Sequence, residues 1–516
     1  MKLSLTDQEL WKKVAKLASL ALLCLTLGIL YALLFYQQKA PLALLITGVV
    51  CGAILGISFL GHVRFRKIWG TVTVFLLPIG MLFSYKIANF YISVGTLVFI
   101  VNTIIIFADN LILQKDAPSC KSHYSKPLGL LLASHALSLF FAVEPLWGFI
   151  DLSMLALAGT MYIYLRRYFT TKEEIVKLIK TFAIVTLYIY FIAMMEYVRQ
   201  GNYNITLISF QGNTALSGEN YRVNGAFSNP NSYGFFAGAS SLLYGGMFFY
   251  FRKKKNKLWT LFSLLLFILG GITLFFSYSR GAFVAYLSGL LFMIMTLPVG
   301  RQRVIIWVFA LAVFAAVLVY LFVYAGEETR LASIAGTTSI TQRFSEAQSP
   351  EQQANLIASV ARPALWLIGL GLWTKQPIFG IGHGMTVFRI GPYLPLVLRP
   401  IHHILYHFHS IFFNTLYEKG IVGFAMLIWF LVRLVDMVFG GIRHRGKFTG
   451  FASIAMGAVW VHLFVHSLVD TVFAVGNHYV EAGIFFFFVF IQSFLADQVL
   501  ARRKREKTET EQAAAA

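Results

Sequence analysis

Between Gly380 and Gly423 the chain reads GIGHGMTVFRIGPYLPLVLRPIHHILYHFHSIFFNTLYEKGIVG. This stretch holds His383, His402, His403, His407 and His409, five of the chain's twelve histidines. An imidazole titrates near neutral pH, so a histidine beside an acceptor hydroxyl can take its proton as a general base. His409 is the best candidate for that role, because it stands at the mouth of an apolar run that begins near Ile411. His403 and His407 are four residues apart, the spacing of two metal ligands on one helical face. However, no Glu or Asp lies between Glu351 and Glu418, and HHILYHFH lacks the glutamate of a metalloprotease helix. Most of these histidines are therefore expected to have structural roles at an interface, and neither a metal site nor a cofactor is expected.

Two arginines offer a second kind of chemistry. Arg222 lies in YRVNGAFSNPNSYGFF and Arg280 in FSYSRGAF. A guanidinium is permanently charged and can grip a phosphate with two parallel hydrogen bonds, which a lysine cannot do. SNPN followed by an apolar run reads as a helix start, with Asn or Ser capping and free N–H groups that favour an anion. Asn229 and Asn231 are candidate substrate contacts on that ground. The plainer reading is that each arginine is a snorkelling anchor at a membrane boundary.

The elements that must position these groups are membrane helices. Hydrophobic residues make up 58% of the chain, charged residues only 13%, and mean hydropathy is +0.70. A soluble chain of this length needs more charge to cover its surface. The net charge of +21 would suit a nucleic-acid binder, but most Lys and Arg sit in short clusters between apolar runs, as in cytoplasmic loops. No nucleic-acid partner is expected; the partner implied is the bilayer. Cys24, Cys51 and Cys120 show no pairing pattern, so neither a disulfide nor a thiolate metal site is indicated. The N-terminus lacks a cleavable signal and reads as a cytosolic lead-in.

Apolar runs long enough to cross a membrane number about fourteen, at 17–36, 41–60, 68–85, 88–108, 127–143, 148–165, 178–198, 233–251, 258–276, 282–298, 304–324, 411–431, 451–469 and 480–498. Alternate loops read HVRFRK, LQKDAPSCKSHYSK, RRYFTTKEEIVK, RKKKNK, GRQR, IRHRGK and a RRKREK tail. Their shared basic character puts them on the cytoplasmic side, with both termini. The expected fold is thus an all-α, polytopic transmembrane bundle.

Two outward loops, 199–232 and 325–410, are too long to be mere connections. The second contains LWLIGLGLW at Leu365–Trp373, too short to span and suited to an interfacial helix. The chain divides into N-terminal spans (1–198), a central domain with both long loops (199–435), C-terminal spans (436–498) and a cytoplasmic tail (499–516). After Arg505 the tail is expected to be disordered. This topology puts Arg222, Arg280 and His409 on the outer face, where arginines run against the positive-inside bias and need a reason to be present. Arg343, Arg362 and Arg389, in the second long loop, are further candidates for binding sugar or phosphate. Glu418 reads as a plain helix-start acid.

His409-Ser410, nine residues, then Gly420-Ile421-Val422-Gly423 is similar to the H[NSQ]-x9-GxxG pattern of the O-antigen ligase family. The Arg-x-Asn-Gly-x-Phe-x-Asn-Pro-Asn segment at Arg222, Ser-x-Ser-Arg-Gly at Arg280 and Pro-x-x-Gly-Ile-Gly at Pro377–Gly382 also resemble that family's shared ligase/polymerase domain, over roughly residues 200–425. The resemblance implies a bacterial glycosyltransferase that moves a glycan from undecaprenyl pyrophosphate to a glycan, lipid or cell-wall acceptor, outside the cytoplasmic membrane. It makes Arg222 and Arg280 the groups that hold the pyrophosphate and His409 the residue that orients or deprotonates the acceptor. Family members commonly have about twelve spans, which leaves two N-terminal helices here without an assigned purpose.

The reaction suits these residue types. Transfer from a diphosphate lipid builds negative charge on the leaving oxygen, which fixed cations stabilise. An imidazole on the opposite side suits in-line displacement with inversion, without a metal. The alternative from another class is a lipid-linked oligosaccharide flippase, which should carry polar groups near the midplane of several helices. The spans here read as almost free of charge, which favours chemistry at one interface. The HS-x9-GxxG match favours a ligase over a polymerase.

Overall fold

A computed structural model describes residues 63–80, 84–87, 90–111, 122–199, 216–217, 220–227, 229–297, 362–393, 407–444, 446–470 and 479–515. Its helices are α1 (Val63–Leu76), α2 (Val94–Leu111), α3 (Ser125–Ser138), α4 (Pro145–Tyr168), α5 (Lys172–Arg199), α6 (Pro230–Lys253) and α7 (Lys257–Phe276), then α8 (Arg280–Thr296), α9 (Arg362–Trp373), the short α10 (Thr386–Arg389), α11 (Ile411–Ile442), α12 (Phe448–Ser467) and α13 (Tyr479–Ala515). Two small antiparallel ladders join Ser84–Ile87 to Phe90–Ser93 and Leu216–Ser217 to Asn220–Tyr221.

Among the described residues, six helices are long and apolar enough to cross a membrane: α4, α5, α7, α11, α12 and α13. Shorter apolar helices lie within α2, α3 and α8. Each falls on an expected span, whereas the spans expected at 17–36, 41–60 and 304–324 lie outside the described residues, as does most of the loop 325–410. Within that loop, α9 occupies the expected short apolar stretch.

The middle of the bundle is α6, packed between α7 and α12, with α8 against α12. Nearly all of α6 is buried, although its Gly, Ser and Ala content makes it less apolar than its neighbours. In lipid, helices associate through close packing and interhelical hydrogen bonds, so small residues favour this central place. A Cβ on Gly246 would fall 2.7 Å from the Cα of Ala455, so only glycine lets α12 come this near. The Ser241 hydroxyl donates to the Phe267 carbonyl of α7 at 2.8 Å. On the other side α13 packs along α4, and its run Phe485–Ile491 is buried.

The tail departs from expectation: α13 continues through Ala515. Its sequence has neither Gly nor Pro after Gly483, is rich in strong helix formers, and carries Arg502–Glu506 and Lys507–Glu511 pairs one turn apart. Those features extend a helix that the bundle has already nucleated.

Candidate active site

The segment around Arg222 straps the end of α7 to the starts of α6 and α8. The Val223 N–H donates to the Phe276 carbonyl at 3.1 Å, and Arg222 Nε donates to the Ser277 carbonyl at 3.1 Å. Arg222 Nη2 donates to Asn231 Oδ1 at 3.3 Å, and the Ser279 hydroxyl donates to the same oxygen at 2.9 Å. Asn229 caps α6 by accepting the Ser232 N–H at 2.9 Å, with Pro230 at the first helical position. The buried Glu196 carboxylate accepts the N–H groups of Asn224 (3.0 Å) and Gly225 (2.7 Å), which ties the strap to α5.

Ser279 in turn caps α8, whose first residue is Arg280, exposed to the surroundings. Arg222 is thus held on the turn that immediately precedes Arg280, and two arginines fifty-eight positions apart in the chain share one corner. Tyr278, in that turn, has φ +48°. Partial burial, then the neighbouring Tyr197, raises its phenol above the usual value, so it remains a neutral hydroxyl at physiological pH.

His409 reaches the same corner from another direction. Phe408 is buried against Tyr417, and its carbonyl accepts the Trp366 indole N–H at 2.9 Å. The flanking His407 and His409 stay half-buried, with ring centroids 4.5 Å apart. His409 has a left-handed φ of +50°, and its N–H donates to His407 Nδ1 at 3.2 Å. For a residue with a Cβ that conformation is strained, a feature that clusters at functional sites. His409 Nδ1 lies 3.7 Å from Asp470 Oδ1. Asp470 follows α12, and its N–H donates to the His466 carbonyl at 3.0 Å. The adjacent Val469 packs on Gly281, where an added Cβ would fall 2.7 Å from Val469 Cγ2. Val469 and Gly281 therefore link the His409–Asp470 pair to the residue beside Arg280.

Residues 264–428 match the family model described as O-antigen ligase. Over those residues the chain is similar to the O-antigen ligase family. No curated protein matches the chain. The matched stretch includes Arg280, His383, His409 and Glu418; Arg222 and Asp470 lie outside it and join it through the contacts above.

Within the matched stretch, the second half of the HS-x9-GxxG pattern does something different. At Gly420 the helix α11 breaks, with φ +66° and ψ −167°. A Cβ there would collide with the Ile378 carbonyl oxygen. Into the break docks the Pro377–Gly382 turn, whose backbone pairs with that of α11. Ile421 N–H donates to Pro377 O at 2.8 Å, Val422 N–H to Ile378 O at 3.2 Å, and Gly382 N–H to Glu418 O at 3.0 Å.

This docking buries Glu418, which is thus not the exposed helix-start acid that its position suggests. Its carboxylate accepts from the Thr386 hydroxyl (2.6 Å), Lys419 Nζ (2.8 Å), the Gly384 N–H (3.1 Å) and Asn414 Nδ2 (3.2 Å). His383 lies 3.9 Å from it through Nδ1 and 2.9 Å from Asp151 of α4 through Nε2. The His135 ring of α3 meets His383 at 5.0 Å between centroids. Glu418 and Lys419 are each only 1% exposed. The spans are therefore less free of charge than their hydropathy implies.

Of the remaining candidates, Arg389 is exposed at the end of α10, and Arg362 is the first residue of α9. Arg343, His402 and His403 lie outside the described residues, and the His403–His407 pair with them. Instead, one ligand atom each from His407, His409 and Asp470 lies within 4.8 Å of the other two, a grouping able to hold a metal ion. The sequence reading missed Asp470, and apart from its position just beyond a helix end it gave no sign of a partner.

Proposed function

We propose that this protein is an extracytoplasmic glycosyltransferase that moves a glycan from undecaprenyl pyrophosphate to an acceptor hydroxyl, as a surface or capsular polysaccharide ligase. The observation that carries the reading is the convergence of Arg222, Arg280, His409 and Asp470 on one corner of the bundle. In this reading the guanidinium groups of Arg222 and Arg280 hold the diphosphate, and the charge of Asp470, 3.7 Å from Nδ1, favours the His409 ring with its proton on that side. The neutral Nε2 takes the acceptor's proton as its oxygen attacks the anomeric carbon. The bond from that carbon to the diphosphate oxygen breaks, the configuration inverts, and the leaving charge falls on the arginines. No metal takes part in the step. Asn229 and Asn231 shape the corner, while Arg343, Arg362 and Arg389 contact sugar or phosphate farther along the donor.

The chain crosses the bacterial cytoplasmic membrane about fourteen times, with both termini in the cytoplasm and the corner outside. A flippase is the second reading, and the buried Asp151–His383–Glu418–Lys419 group is the observation in its favour. Its bonds run to one another and to the backbone of residues 384–386, the pattern of a clamp and not of a transit path.

A deletion strain tests the reading through the glycan that accumulates. Full-length polymer left unattached is the result expected of a ligase, whereas single repeat units indicate a polymerase. Glycan stranded on the cytoplasmic side indicates the flippase, and normal surface polysaccharide contradicts all three.

A further inference from the structure

We propose that His407, His409 and Asp470 form a zinc site, and that zinc bound there inhibits transfer by occupying the imidazole needed as base. The inhibition, though not the binding, rests on the glycosyltransferase reading above. The three side chains come from two elements that are held independently. Buried Phe408, with its carbonyl fixed by Trp366, leaves His407 and His409 as half-buried neighbours on either side of it. Asp470 is fixed by its own hydrogen bond to the end of α12 and by the packing of Val469 on Gly281. One ligand atom from each then lies within 4.8 Å of the others.

Two details point to a ligand. His409 Nδ1 is buried and makes no hydrogen bond. It stands 3.7 Å from Asp470 Oδ1, close to the roughly 3.4 Å that separates two ligands on tetrahedral zinc. Two imidazoles and one carboxylate suit zinc and not magnesium or calcium, which take oxygen ligands. Three protein ligands leave a fourth position open.

The consequence for catalysis follows from the two ring nitrogens. With the proton on Nδ1, on the side that faces Asp470, Nε2 has a lone pair and can accept the acceptor's proton. With zinc on Nδ1, the neutral ring carries its proton on Nε2 and has no basic nitrogen left. Zinc also takes up the Asp470 charge that favours the proton on Nδ1. A metal at this place therefore blocks a reaction that needs none, and chelation restores it.

The experiment uses full-length protein purified in detergent and freed of metal by chelator. Zinc is titrated against a chromophoric indicator, cobalt absorption reports the coordination geometry, and transfer from a lipid-linked donor is followed in parallel. The expected result is about one zinc per chain in a tetrahedral site. Transfer should fall in step with zinc occupancy and return on adding EDTA. His407→Ala should weaken zinc binding by about tenfold or more, and should raise the half-inhibitory zinc concentration, relative to its own metal-free rate, by the same factor. Unchanged zinc affinity in both His407→Ala and Asp470→Ala overturns the site. Zinc bound at full occupancy with transfer undiminished overturns the inhibition. If zinc binding is lost in both variants but the metal-free wild-type protein transfers no glycan, the site stands and the glycosyltransferase reading fails instead.

Discussion

Two charged regions of this protein lie at opposite ends of one motif and are built in opposite ways. The corner around Arg222, Arg280, His409 and Asp470 leaves Arg280 exposed and Arg222 and His409 half-buried, with Asp470 buried beside His409, and its side chains are braced by turns and helix caps. The knot around Glu418, Lys419, His383 and Asp151 is buried, and hydrogen bonds of 2.6–3.3 Å converge on its Glu418 carboxylate. The difference separates chemistry from architecture. A group that must meet a substrate keeps an open side, whereas a charge sealed among helices is tolerated only when fully paired. His409 and Glu418 are nine residues apart in sequence and belong to different regions, because the break at Gly420 turns the second half of the motif inward.

The comparison can be broken by substitutions on either side. The largest effect is expected at the knot. Lys419→Met leaves the Glu418 charge buried without its ion-pair partner and should cost about 3–5 kcal/mol of stability, read as a lower melting temperature in detergent. Glu418→Gln combined with Lys419→Met should recover much of that loss, since removing both charges removes the unpaired one. At the corner, Arg280→Ala should leave melting unchanged and lower the transfer rate by about 10²–10³, the cost of losing a fixed stabiliser of the leaving charge. Arg222→Lys keeps the charge but loses the paired hydrogen bonds to Ser277 and Asn231; its transfer should fall less than that of Arg280→Ala in the same assay.

Smaller effects sharpen the same division. Gly420→Ala should destabilise the protein by about 1–3 kcal/mol, because the new Cβ strikes the Ile378 carbonyl and the backbone is left-handed there. Asn229→Ala removes the cap of α6 and should cost about 1 kcal/mol, again as a melting shift, with little change in transfer per folded molecule.

The helices were legible in the sequence because lipid imposes a simple rule: long apolar runs bounded by charge. The runs at 258–276 and 411–431 have their counterparts in α7 and α11. The juxtaposition of Arg222 with Arg280 was legible only through the family resemblance, since nothing local in YRVNG says that it straps onto Ser277. Asp470 and the knot were not legible at all. Glu418 beside Lys419 looks like an exposed pair at a helix start, and Asp151 and His383 become partners only once α4 packs beside the Pro377–Gly382 turn. The tail was misread because its AAAA ending was taken as a sign of disorder, whereas one-turn spacing of opposite charges supports a helix.

The measurement that bears most directly on the separation of chemistry from architecture is transfer by purified, metal-free His409→Ala protein from a polyprenyl-diphosphate-linked glycan, run beside its melting curve. The account predicts melting like that of the wild type and a rate lower by about 10²–10⁴. A His409→Ala protein that melts normally and transfers glycan at the wild-type rate would contradict it.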